Sequence, residues 1–67
     1  MSENAPAEEQ LRRLKNTVMG AGYRLSQLAQ SGELHAAAAT ELASITRDLN
    51  EAAARLERLL ATLKRDG

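Results

Sequence analysis

Apolar residues recur along the chain at alternating gaps of three and four. Leu11, Leu14, Val18, Ala21, Leu25 and Leu28 form one run, and Ala38, Leu42, Ile45, Leu49, Ala52, Leu56, Leu59 and Leu63 form a second. Such spacing keeps one side of an α-helix apolar and is that of a heptad seam, in which positions a and d meet a neighbouring helix. In the first run Leu11, Val18 and Leu25 take a, with Leu14, Ala21 and Leu28 at d. In the second, Leu42, Leu49, Leu56 and Leu63 take a, with Ala38, Ile45, Ala52 and Leu59 at d. Carrying the first register forward places a at 32 and 39, whereas the second run has it at 35 and 42, so the phase breaks at Ser31-Gly32. Gly readily ends a helix in the left-handed conformation, and Ser or Gly can cap the next one.

The pattern predicts helices over 5–30 and 33–65 joined by a turn at 31–32, with 1–4 a disordered N-terminal segment and 5–67 a single domain. Pro6 suits the first turn of the first helix because it has no N–H to lose there, and Glu8 and Glu9 suit the positive end of its dipole. A two-residue link makes the helices antiparallel neighbours. Leu25 is then expected level with Ala38, Ala21 with Leu42, Val18 with Ile45, Leu14 with Leu49 and Leu11 with Ala52, so that large residues mostly face small ones. Lys15 falls at the height of Asp48, and Glu8–Arg12 and Glu9–Arg13 have the spacing of ion pairs within one helix. The fold class expected is all-α: a coiled-coil-like two-helix antiparallel hairpin that dimerises into a four-helix bundle.

The flanks of the seam differ. Position g carries Gln10, Thr17, Arg24, Glu41, Asp48, Arg55 and Thr62, a polar rim. Positions e and b supply a run of small or apolar residues, among them Met19, Gly22, Ala39, Ala43, Ala53 and Leu60. An apolar stripe this broad marks a helix with more than one neighbour. Met19, Gly22, Ala39, Ala43 and Ala53 are therefore the expected dimer interface. The helices also differ in length, about 39 Å against about 50 Å at 1.5 Å per residue. The excess of the second carries Leu59, Leu60 and Leu63 past the first, which makes them a candidate protein-binding patch, with Tyr23 and Arg24 as a second.

Composition narrows the function classes. The 67 residues include 13 Ala and 11 Leu, one Tyr, and no Phe, Trp or Cys, which is helix vocabulary with few strand formers. A chain this short has a small core, and without disulfides it depends on oligomerisation or a partner for stability. Nine Lys and Arg balance nine Asp and Glu, so the chain lacks the cationic excess and aromatic platforms of a nucleic-acid binder. No apolar run reaches the ~18 residues of a membrane span, and the opening Met1-Ser2-Glu3-Asn4 is unlike a basic leader, so a cytoplasmic location is expected. Arg12, Arg13 and Lys15 make a small basic patch.

Catalytic chemistry has little to work with. The single His35 stands at an a position beside the turn, and Glu33 lies two residues away on another face, which does not match the Glu and His three apart of a bundle-core metal site. No enzyme activity, cofactor, metal or small-molecule substrate is expected. The stretch Leu28-Ala-Gln-Ser-Gly-Glu-Leu34 ahead of a long helix resembles the small subunit of exonuclease VII, a helical hairpin of similar length, although that family's Phe is missing and the spacing before the Gly differs by one. The resemblance implies a non-catalytic subunit of an enzyme complex, and no residue is carried over from it. The residues themselves point to an adaptor, chaperone-like subunit or inhibitor that binds a larger protein through helix–helix contacts, with a purely structural oligomerisation module as the other alternative.

Overall fold

The turn sets everything else in this molecule. The computed structural model describes residues 5–66, and side chains from 5 to 65; the expectation for residues 1–4 lies outside the described residues. Helix α1 spans Ala5–Gln30 and helix α2 spans Ala36–Asp66, and the two pack against each other as a hairpin. The link is residues 31–35, five residues where the phase break suggested two.

Side chains explain the longer link. Ser31 Oγ donates to the Leu28 carbonyl at 2.7 Å and accepts the Glu33 N–H at 3.2 Å, while the Ser31 N–H also bonds the Leu28 carbonyl. A hydroxyl that serves a helix-end carbonyl and a loop N–H together holds the chain out of helix over 31–33. Gly32 follows with φ of 85°, a left-handed conformation that side chains resist. His35 then caps α2: its Nδ1 accepts the Ala38 N–H at 3.2 Å, and its carbonyl accepts the Ala39 N–H at 2.9 Å. His35 therefore serves the backbone at the helix start, where the first N–H groups have no acceptor within the helix.

With five residues in the link and not two, the helices meet in a different register from the one expected. Lys15 Nζ bonds Glu57 Oε1, nine residues beyond Asp48. The backbone of Gly22 lies against Leu49 and Asn50. Nine residues of helix correspond to about 13 Å of sliding. The slide brings the last turns of α2 alongside the first turns of α1, so Leu60 lies level with Leu11 and Arg12. The expected overhang of Leu59, Leu60 and Leu63 does not exist; the first turns of α2 extend beyond α1 at the turn end instead.

The seam is rotated as well. Gly22, Thr46, Ala53 and Leu60 are the buried residues, the last three at 7%, 6% and 5% exposure, and all four occupy position e. The a residues Leu11, Val18, Leu25, Leu42, Leu49, Leu56 and Leu63 are half-buried. The helices thus face each other through a and e, not a and d. Size is the reason: a Cβ on Gly22 would stand 3.1 Å from Asn50 Oδ1, closer than side chains ordinarily pack, so the glycine lets α2 approach here. Small e residues let the backbones approach, and closer packing gains more dispersion contacts than the bulkier d row allows. Thr46 fits the same row by returning its hydroxyl to the Leu42 carbonyl at 2.9 Å, which leaves its methyl for the seam.

The result is a rod. Its Cα extents are 52 × 14 × 10 Å, and its radius of gyration of 15.3 Å exceeds the roughly 11 Å of a compact chain of this length. No described side chain is below 2% exposure.

Candidate interaction surface

Two broad sides result from the a/e seam. Grooves on one side are lined from both helices by position b and its neighbours: Lys15 and Met19 with Asn50, Ala54 and Glu57 in one, and Ser26 with Thr40 and Ala43 in another. With both b rows there, both d rows occupy the opposite side. On that side Leu14 is 55% exposed, Leu28 40%, Ile45 41% and Leu59 43%. The shared register brings Leu14 level with Leu59, Ala21 with Ala52 and Leu28 with Ile45, to within two residues. A groove of about 510 Å³ runs along α2 here, lined by Ala52, Arg55, Leu56 and Leu59.

The b side is governed by charge. Lys15 is largely covered, its side chain 17% exposed, so its aliphatic stem lies in the seam while its ammonium reaches the exposed Glu57. That hydrogen bond, and the nearness of the Lys15 charge, hold the Glu57 carboxyl below the usual carboxylate range; its small desolvation acts the other way, and Lys64 and Arg12 add to the lowering. Glu9 accepts from Arg12 at 3.0 Å and lies 3.6 Å from Arg13. The expected basic patch of Arg12, Arg13 and Lys15 is therefore partly neutralised within the hairpin, by Glu9, which the two arginines share, and by Glu57 of the other helix. Such exposed pairs contribute little to stability.

The candidate residues from the sequence separate accordingly. Of the expected dimer interface, Gly22 and Ala53 are buried between α1 and α2, and Ala39 is half-buried at the same seam. These three already have their neighbour inside the chain, so an outside partner does not reach Gly22 or Ala53. Met19 and Ala43 remain exposed on the b side. Of the expected protein-binding patch, Leu60 is buried and Leu63 half-buried, which leaves Leu59 exposed and places it on the d side. Tyr23 and Arg24 are exposed, and the Tyr23 hydroxyl accepts from Gln27 at 3.1 Å.

No protein family, curated protein or solved structure matches the chain. The likeness of residues 28–34 to the exonuclease VII small subunit thus rests on those seven residues alone. Among the described residues no group of three or more His, Cys, Asp or Glu could hold a metal, and no helix is long and apolar enough to cross a membrane.

Leu14, Leu28 and Ile45 are the surface residues that the heptad reading assigned to the core. Positions a, d and e are all apolar over most of the chain, and a pair of helices can bury only two of three rows. The small side chains at e, with Gly22 among them, carried the signal that this row closes first.

Proposed function

We propose that the hairpin is a cytoplasmic, non-catalytic protein-binding module, an adaptor, chaperone-like subunit or inhibitor, whose working form is a four-helix bundle of two copies. One observation carries this reading: four large apolar side chains of a 67-residue chain stand 40–55% exposed on one side. Contiguous exposed apolar surface marks contact with another macromolecule. A paired helix surface is read by residues three and four apart, which Leu56, Leu59 and Leu63 supply on α2 and Leu11 and Leu14 on α1. Tyr23 on the outer face of α1, with Arg24 beside it at the edge of that side, both exposed, are the residues through which a bundle contacts the larger protein; Tyr and Arg are favoured at the centres of such contacts.

Affinity capture from the source cells tests it, with the wild-type chain and a Tyr23→Ala/Arg24→Ala variant compared at equal helicity and equal mass. Stoichiometric capture of one larger protein by the wild type, lost in the variant, supports the reading. Wild-type chain that recovers no protein overturns it, and equal capture by both forms moves the contact away from Tyr23 and Arg24.

A further inference from the structure

We infer that the d side of the hairpin is the surface on which a second copy of this chain docks, two-fold related, with Leu14, Leu28, Ile45 and Leu59 as its apolar contacts. This rests on the bundle reading above and assigns it a face other than the small-residue flank of Met19, Gly22, Ala39, Ala43 and Ala53.

Three features identify the occupant as the chain itself. The first is area. The whole chain exposes 5135 Å², whereas a compact monomer of 7.3 kDa exposes about 4,200 Å². The excess of roughly 900 Å² belongs to the elongated rod as a whole, and a standard interface takes about 800 Å² from each partner, so one broad side has room for a second copy. The second is shape. Along the d side the rungs read large, small, large: Leu14 with Leu59, Ala21 with Ala52, Leu28 with Ile45. That profile is the same from either end, so a two-fold-related copy sets large rungs on large and small on small whichever way it runs, as an isologous contact between identical surfaces does. The third is charge. The g positions that border the d side carry Arg24 and Arg55 against Glu41 and Asp48, two of each sign, so the rim attracts a rotated copy of itself. On the opposite side, by contrast, Lys15 and Glu57 already satisfy each other.

The test starts from solution mass. Light scattering of the wild-type chain should give close to twice 7.3 kDa. A Leu14→Glu/Ile45→Glu variant should fall to the monomer mass with its helical circular dichroism retained, because both side chains are exposed in the single hairpin. A Met19→Glu/Ala43→Glu variant, altered on the b side, should remain a dimer. If Leu14→Glu/Ile45→Glu unfolds, the decision passes to single-cysteine chains, which are simple to read because the sequence has no cysteine. Because Ala52 is half-buried and Ala43 exposed already in the single hairpin, the readout is the change with concentration: the Ala52→Cys thiol should alkylate many-fold more slowly at high concentration than when dilute, and the Ala43→Cys thiol at the same rate in both. A wild-type dimer that survives Leu14→Glu/Ile45→Glu, or an Ala52→Cys thiol whose rate does not change with concentration, overturns the face while leaving the bundle intact. A wild-type monomer at high concentration overturns both.

Discussion

The two broad sides of the hairpin use the same pair of helices and differ in what occupies the row beside the seam. On the b side that row is Arg12, Met19 and Ser26 with Ala43, Asn50, Glu57 and Lys64, mostly polar, and it is crossed by the Lys15–Glu57 bond. On the d side it is Leu14, Ala21 and Leu28 with Ile45, Ala52 and Leu59, without a polar atom among the side chains. Helix propensity does not distinguish the two, and neither does the hairpin's own packing, which stops at a and e. The difference lies in solvent: water covers the b side at no cost and the d side at a cost of about 25 cal/mol per Å² of apolar surface. A two-helix rod can thus be folded and still have one row of core side chains left over.

The largest expected effect separates a residue of the seam from one of the d side. Leu60 is buried at 5% exposure, and Leu60→Ala should remove ~2–5 kcal/mol from folding stability, measured by denaturant unfolding at low concentration. Leu14→Ala should cost well under half as much in the same dilute experiment, because Leu14 is 55% exposed. Equal losses at the two positions would restore the a/d seam. Raising the protein concentration sharpens the contrast: the penalty at Leu14 should grow with concentration, and that at Leu60 should change little.

Much of this was legible in the sequence, and the reason for the remainder is local. The all-helical hairpin follows from the alternating gaps and from the phase break at Ser31-Gly32, since two helices joined by a short link pack as antiparallel neighbours. The register followed from the assumed length of the link, and that length depended on one hydroxyl and one imidazole. Ser31 holds off the new helix, and His35, read as an edge residue of the seam, turns out to be its cap. The choice of e over d depended on side-chain size at Gly22 and Ala53, which a heptad pattern treats as merely apolar. The slide and the rotation together moved Leu60 from the candidate binding patch into the core, and the rotation moved Leu14 from the core to the surface.

A second, smaller effect tests the turn that decides which rows face each other. Gly32→Ala should cost about 1–2 kcal/mol, because φ of 85° places a Cβ against the following carbonyl although there is open space around it. His35→Ala should cost about 1 kcal/mol through loss of the acceptor for the Ala38 N–H, and His35→Ser should recover most of it. If the five-residue link fixes the register, amide exchange should quicken at the start of α2 in His35→Ala and not at Leu60. A loss of protection spread along both helices would mean that the register depends on the cap alone.

Two glycines on α1 offer a finer comparison, worth about 1 kcal/mol. Gly20 has no heavy atom within 4 Å of where its Cβ would stand, so Gly20→Ala should raise stability by nearly the full propensity difference of about 0.8–1.0 kcal/mol. Gly22→Ala gains the same propensity but presses on Asn50 Oδ1 at 3.1 Å, so its net gain should be smaller. Gly22→Leu should separate the helices and destabilise strongly. Thermal melts of the three variants rank them, and a Gly22→Leu chain as stable as Gly20→Ala would place α2 elsewhere.

The smallest effect belongs to the b side and appears as a pH dependence. Lys15 holds the Glu57 carboxyl below its ordinary range in the folded hairpin, while in the unfolded chain that partner is gone. Folding therefore favours the ionised form, and the pair stabilises the hairpin at neutral pH, above the unfolded value. As acid carries the pH below the ordinary carboxylate range and through the lowered folded value, the carboxyl protonates and the contribution disappears. Glu57 is exposed, so water and salt screen the pair and the change should be small. Melting temperature against pH, run for the wild type and for Glu57→Gln, isolates it: the two curves should differ at pH 7 and converge in acid, with the gap at pH 7 narrowing as salt is added. Parallel curves at every pH would mean that the Lys15 ammonium stays in water, and the b side would then be held by the seam alone.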